Sequence, residues 1–166
     1  MLEEQALDIK RHNRIDFRCG VLELDDYLHR YAAQQSARGV SAVYVLINSA
    51  QPSRILGFYT LSAAQVDMVQ ISESDRKKLP RYPVPCFRMG RLACSAEHRG
   101  EGVGKLLLGC AVDRCLQARK QVAAFALLVD AKNESAKAYY QHYGFTPCTD
   151  SPLTIYLPLE SPSRRS

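Results

Sequence analysis

The 166-residue sequence contains no apolar run long enough to cross a membrane, and its first residues, MLEEQALDIK, lack the apolar core of a secretory signal. Its six cysteines (Cys19, Cys86, Cys94, Cys110, Cys115 and Cys148) make no C-x-x-C pair and no metal-ligand spacing. Several lie in apolar runs, where a free thiol behaves as a small core side chain. With no export signal they are expected to stay reduced, in the cytoplasm, and no metal site is expected. Internal repeats are absent, and no linker-like stretch divides the chain. One domain is therefore expected over residues 1–158, with a disordered basic tail over 159–166.

A hydrophobic content of 46% and a charged content of 23% are ordinary for a globular domain of this length. The net charge of +5 permits an anionic partner without naming one. Apolar residues at helical spacing predict a helix over 21–36, with Leu24, Leu28, Tyr31 and Gln35 on one stripe, Tyr27 beside it, and Gly39 closing it. Strands are expected over 42–47 and 55–63, with a hairpin loop over 48–53. Residues 70–85 are polar and broken by Pro80, Pro83 and Pro85; they carry Arg76, Lys77, Lys78 and Arg81. Such a run is usually a solvated face, yet it immediately precedes the next strand, so a substrate-side role stays open.

That strand, over 86–95, has Gly90 inside it, a sign of a bulge or of close backbone approach. It leads into Arg99-Gly100-Glu101-Gly102-Val103-Gly104, and then into a helix over 103–119 whose expected buried face is Val103, Leu106, Leu107, Cys110 and Ala111. Three glycines between a strand and a helix allow backbone amides to approach an anion, and the helix start adds unpaired N–H donors and a positive dipole end. The spacing is neither that of a dinucleotide-binding loop nor that of a phosphate-binding loop ending in G-K-[ST]. A plain tight turn is the competing reading. Residues 122–131 read as a strand covered on both faces. Asn133 can then cap a helix carrying Ala136, Tyr139, Tyr140 and Tyr143, ended by Gly144, and Leu153, Ile155 and Leu157 alternate as a last strand.

The turn reads R-x-x-G-x-G and resembles the acetyl-coenzyme A signature of the GNAT N-acetyltransferase superfamily. The succession strand, turn, helix, strand, Asn133, Tyr-bearing helix, Gly144-Phe145, strand extends the likeness over nearly the whole chain. It implies an α/β (α+β) fold: a mixed, mostly antiparallel sheet with helices on both faces and a splayed parallel strand pair that binds acetyl-CoA. Leu92, Ala93 and Cys94 would then lie along the pantetheine and the acetyl carbonyl. The amides of Arg99, Gly100, Gly102, Val103, Gly104 and Lys105 would hold the pyrophosphate, and Asn133 would touch the cofactor arm. Three strings narrow the likeness: Phe17-x-Cys19-Gly20-x-x-x-Leu24-Asp25-x-Tyr27-Leu28, then Gly57-Phe58-Tyr59-Thr60-Leu61-Ser62, and Gly90-Arg91-Leu92-Ala93 with Leu128-Val129-Asp130-Ala131-Lys132. Together they resemble the GNAT toxins of bacterial toxin–antitoxin pairs, which acetylate the amino group of aminoacyl-tRNA. That branch implies a tRNA substrate met by Arg76, Lys77, Lys78, Arg81 and Arg91, a ribbon-helix-helix antitoxin as partner, and leaves a homodimer open.

Acetyl transfer requires a neutral amine, a polarised thioester carbonyl and a proton for the departing thiolate. A backbone N–H near Cys94 would polarise the carbonyl. The family's Y-x-x-x-G-F spacing makes Tyr140, rather than Tyr139, the acid; apolar packing is the alternative for both rings. No carboxylate lies on the central strand, and Glu97 with His98 just past it read as solvated. An α-amine titrates about 2–3 units below lysine and needs little help from a base. Cys94 has no His–acid pair to activate it as a nucleophile. Three functions remain: an aminoacyl-tRNA acetyltransferase toxin, a GNAT enzyme acting on a protein N-terminus or small amine, and a non-catalytic CoA-binding module.

Overall fold

The computed structural model describes residues 1–77, 79 and 83–159. Two compact units share the chain: Met1–Ser62 with Gly90–Ala111, and Ala63–Met89 with the residues from Val112 onward.

The first unit opens on a strand that no hydrophobic pattern announces. β1 (Leu2–Ala6) pairs antiparallel with β2 (Ala42–Asn48), which pairs antiparallel with β3 (Gly57–Val66). The β1 segment, LEEQA, is mostly polar and buries none of its side chains fully, so backbone pairing rather than hydrophobic pattern makes it a strand. The expected helix over 21–36 is present in three parts: α1 (Leu22–Asp26), a π turn (Tyr27–Tyr31) and α2 (Ala32–Ala37). The amide of Ala32 reaches back five residues to the Tyr27 carbonyl, which marks the widened turn. Widening shifts the stripe: Tyr31, expected inside, is 48% exposed, and Ala32 is fully buried in its place. Gly39 ends the helix at φ +71°, as its position predicts. The core of this unit joins Phe17, Tyr27, Leu28, Val43, Val45, Ile47, Phe58 and Ala93.

β4 (Val84–Cys94) and α4 (Val103–Ala118) frame the glycine turn. Val103, Leu107, Leu108, Ala111 and Cys115 are the buried side chains of α4. Leu106, expected among them, is 39% exposed and Cys110 is half-buried, so the buried face is rotated toward Leu108. Gly90 has room, since an added Cβ would meet only Thr60 Oγ1 at 3.4 Å. The close approach lies at Gly57 instead. A Cβ there would stand 2.6 Å from Leu107 Cδ1, 2.8 Å from the Ala93 carbonyl and 3.1 Å from Val103 Cγ1. This bare backbone lets β3 pack against the end of β4 and the first turns of α4.

In the second unit, β5 (Ala126–Asp130) is shorter than the apolar run predicts, because Val122 belongs to the exposed turn after α4. It runs parallel to β4, from Cys86↔Ala126 to Met89↔Val129, and antiparallel to β7 (Thr154–Pro158). A two-residue strand, β6 (Thr146–Pro147), pairs with the far side of β7. The strand order is β1-β2-β3-β4-β5-β7-β6, with β4/β5 parallel and the β1/β2, β2/β3, β5/β7 and β7/β6 pairs antiparallel. On β7 the buried residues are Ile155 and Tyr156, consecutive rather than alternating, while Leu153 is exposed. Tyr156 donates its hydroxyl to Asp75 at 2.8 Å and accepts the Ser72 amide, tying β7 to the short helix α3 (Glu73–Arg76). Ser72 caps α3, its hydroxyl accepting the Asp75 amide. α5 (Glu134–His142) follows β5. Leu159, assigned by the sequence reading to the tail, is buried and donates its amide to the Phe125 carbonyl; the rest of that tail lies outside the described residues.

Candidate active site

The first unit holds the glycine turn. Gly100 and Gly102 sit at φ +81° and +82°, and nothing within 4 Å would obstruct a Cβ at either. Backbone conformation, not crowding, demands glycine there. Gly104, grouped with them by sequence, lies instead in the first turn of α4. The amide of Leu106 bonds the Gly102 carbonyl at 3.1 Å, so Val103, Gly104 and Lys105 occupy the positions whose amides precede the helical ladder. Glu101 would bring an unwelcome negative charge to such a turn, but His98 Nδ1 engages it at 2.6 Å. Positive-φ glycines, leading amides and Lys105 form a cradle that fits a pyrophosphate.

The N-terminal string holds this turn in place. Asp25, buried, accepts the Cys19 amide at 2.8 Å. Gly20, at φ +90°, leaves the space into which the Arg99 guanidinium reaches to bond the Cys19 carbonyl. The side chain of Arg99 is thus a strut between the string and the turn, which leaves its backbone for ligand contact. Phe17, Cys19, Tyr27 and Leu28 of the same string belong to one buried cluster. Neither the strut nor the close approach at Gly57 was legible as a contact, although both glycines stand in the quoted strings.

Leu92, Ala93 and Cys94 lie three to five positions beyond Met89, the last β4 residue in the parallel ladder of the second unit. Burial raises the Cys94 thiol above its ordinary pKa, and the Arg99 charge opposes this more weakly. A thiol held protonated is a poor nucleophile. Past the strand end, Glu97 pairs with Arg54 and His98 with Glu101. Arg91, on β4, lies with its guanidinium carbon 3.6 Å from the centre of the Tyr27 ring.

The second unit holds the side-chain candidates. Asn133 accepts the Ala136 amide through Oδ1 at 2.8 Å, capping α5 as expected. Its amide nitrogen is left for another partner. Tyr140 is 8% exposed and meets Tyr139 and Phe145 edge-on, each at 5.4 Å between ring centres. Gly144, at φ +97°, ends the helix and turns Phe145 back so that its amide bonds the Tyr140 carbonyl at 3.3 Å. The Gly-Phe landmark therefore fixes the Tyr140 ring. Tyr139 is less buried and packs on Tyr143 at 5.2 Å. Of the basic run, Arg76 ends α3 half-buried and Lys77 is exposed; Lys78 and Arg81 lie outside the described residues. Among the described residues no cluster of His, Cys, Asp or Glu could hold a metal ion, and no helix is long and apolar enough to cross a membrane.

Residues 41–147 match the family described as acetyltransferase (GNAT) domain. The chain belongs to the GNAT acetyltransferases. A tRNA-acetylating toxin of Mycobacterium tuberculosis (strain ATCC 25618 / H37Rv) is 33% identical over 141 residues, covering 85% of this chain and 82% of the relative. The solved structure of AtaT complexed with acetyl-methionyl-tRNAfMet superimposes with a TM-score of 0.89, at 26% identity over 95% of both chains. AtaTR bound with acetyl-CoA does so with a TM-score of 0.81, at 26% identity over 95% of this chain and 94% of that one. The chain has the GNAT fold, and its acetyl donor is acetyl-CoA.

Proposed function

We propose that this GNAT enzyme transfers acetyl from acetyl-CoA to the α-amino group of an aminoacyl-tRNA and thereby blocks translation as the toxin of a toxin–antitoxin pair. The observation that carries the acceptor class is that, among the described residues, the two candidate bases at the strand end are already engaged or enclosed. Glu97 pairs with Arg54, and His98 has Nδ1 on Glu101 while its Nε2 is buried, out of reach of an acceptor amine. An acceptor that is already largely neutral suits such a site. An α-amine beside an ester meets that condition, whereas lysine would cost about 4 kcal/mol to deprotonate at neutral pH. The likeness to a tRNA-acetylating toxin and to AtaT supports the same acceptor.

In this reading the amides from Arg99 to Lys105 hold the pyrophosphate, Leu92, Ala93 and Cys94 align the pantetheine arm, and Asn133 Nδ2 touches it. Acetyl-CoA supplies an acetyl group activated as a thioester. The backbone N–H near Cys94 polarises its carbonyl, Tyr140 gives its hydroxyl proton to the departing sulfur, and the amine releases a proton to water. Arg76, Lys77, Lys78, Arg81 and Arg91 meet phosphates of the tRNA, in the cytoplasm, and a ribbon-helix-helix antitoxin is the neutralising partner.

The test is to incubate the enzyme with labelled acetyl-CoA and aminoacylated tRNA, then hydrolyse the ester. An N-acetylated amino acid supports the reading. Label recovered only on added peptides or small amines overturns it. Reversing the charge of Arg76 and Lys77 together should weaken tRNA binding and flatten its dependence on salt. Unchanged affinity would return that helix end to a plain solvated surface.

A further inference from the structure

Arg91 differs from the arginines around it. Arg54 binds Glu97, Arg99 binds the Cys19 carbonyl, and Arg18 binds the carbonyls of Ile15 and Phe17. The Arg91 N–H groups hold no hydrogen bond or ion pair among the described residues. What Arg91 has instead is the face of the Tyr27 ring. That ring is fixed from every side. It is 4% exposed, lies nearly parallel to Phe58 at 6.2 Å, and donates its hydroxyl to Gln35 Oε1 at 3.1 Å. Phe58 in turn takes Phe17 edge-on at 5.6 Å. Tyr27 is also the first residue of the π turn, a feature common at functional sites.

A guanidinium with one face on a ring and its edge unengaged is a flat fork, matched to two oxygens of a phosphate. Packing on the ring removes much of the rotamer freedom that an arginine otherwise loses on binding. The fork also stands in a useful place. Arg91 and Cys94 are three residues apart, about 10 Å along an extended strand. In an aminoacyl ester at the end of a nucleic acid, eight bonds separate the α-amine from the nearest phosphorus, which spans about the same distance when extended. An ester seated with its amine near the Cys94 amide would bring its nearest phosphodiester to the level of Arg91.

We propose that Tyr27 is a positioning residue, which presents Arg91 as a pre-oriented fork to the phosphodiester adjoining the aminoacyl ester. This rests on the aminoacyl-tRNA reading above. Arg91→Lys keeps the charge but loses the fork and its flat face. It should raise KM for aminoacyl-tRNA about tenfold with kcat little changed. Arg91→Ala should also reduce the salt slope of that KM by about one. Tyr27→Leu should reproduce the rise seen with Arg91→Lys, Tyr27→Phe should rescue it, and Tyr27→Leu placed on Arg91→Ala should add less than twofold. A tenfold further rise in that double variant would overturn the pairing. Ring-current displacement of the Arg91 Nε–H resonance in the wild-type protein tests the stack without any substitution, and its absence would overturn the proposal even if Tyr27→Leu fails to fold. Wild-type enzyme that acetylates no aminoacyl-tRNA removes the acceptor reading and the fork together. Activity on aminoacyl-tRNA with normal KM and salt slope in both Arg91 variants removes the fork alone.

Discussion

The turn before α4 and the helix α5 handle their proposed ligand in opposite ways. The turn is made of backbone: Gly100 and Gly102 at positive φ, then the leading amides of a sixteen-residue helix. Its one well-placed side chain, Arg99, points away to the Cys19 carbonyl and acts as a strut. On α5 the proposed roles belong to side chains, the amide of Asn133 and the hydroxyl of Tyr140, and the backbone only aims them. Backbone can supply fixed donors for a charge that is already present. It cannot supply a hydroxyl proton. The two regions therefore fail differently: the turn through conformation and shape, the helix through single functional groups.

The largest expected effect belongs to the helix. Tyr140→Phe keeps the ring and its contacts with Tyr139 and Phe145 and removes only the hydroxyl. If Tyr140 is the acid, kcat should fall by roughly 10²–10⁴, about 3–5 kcal/mol, with acetyl-CoA affinity little changed. Tyr139→Phe is the control and should remain active. In cells the wild type should arrest growth without its antitoxin, and Tyr140→Phe should be tolerated. Near-normal turnover of Tyr140→Phe would break the comparison, because the helix would then be packing alone.

The turn should fail in binding. Acetyl-CoA at a hundred times its Kd should stabilise the folded protein by about 2.7 kcal/mol and raise its Tm. Gly102→Glu forces a side chain into the left-handed region and sets a carboxylate beside the pyrophosphate amides, so it should erase that rise. Gly102→Ala isolates the conformational part and should lower the stability of the free protein more than it disturbs the ligand's increment. A full acetyl-CoA shift in Gly102→Glu would show that the cradle is elsewhere.

How far the sequence could be read follows the same division. Glycine declares a backbone conformation by residue type, so Gly39, Gly100, Gly102 and Gly144 were legible without neighbours. The landmark Gly144-Phe145 likewise singled out Tyr140 over Tyr139, and the structure makes Tyr140 the more buried ring, in contact with Phe145. Contacts between distant segments were not legible. Gly57 was quoted in a string, but its need for a bare backbone comes from Ala93, Val103 and Leu107. The resemblance puts Arg91 on the tRNA side and periodicity puts Tyr27 beside the apolar stripe of its helix, but neither signals the stack between them. Helical periodicity also assumed regular turns. The π turn at Tyr27–Tyr31 exchanged Tyr31 for Ala32 on the buried stripe, and no residue type signals such a turn. β1 was missed because a strand held by pairing alone has no hydrophobic pattern to read.

The smallest expected effect lies at Asn133, where the two ways of working meet in one side chain. Its Oδ1 is spent on the Ala136 amide, and only its nitrogen is left for the cofactor arm. Asn133→Ala removes both functions. Loss of the cap should cost about 1 kcal/mol, which in a domain of this size lowers Tm by about 2–4 °C. Asn133→Ser keeps an oxygen in the capping position and discards the amide nitrogen, so the free protein should melt close to wild type. The acetyl-CoA increment in Tm separates the roles. If the nitrogen touches the arm, that increment shrinks equally in Asn133→Ser and Asn133→Ala, even though only the alanine variant melts early without ligand. A full increment in Asn133→Ser would make Asn133 a helix cap and nothing more, leaving Tyr140 as the one side chain that α5 contributes to the chemistry.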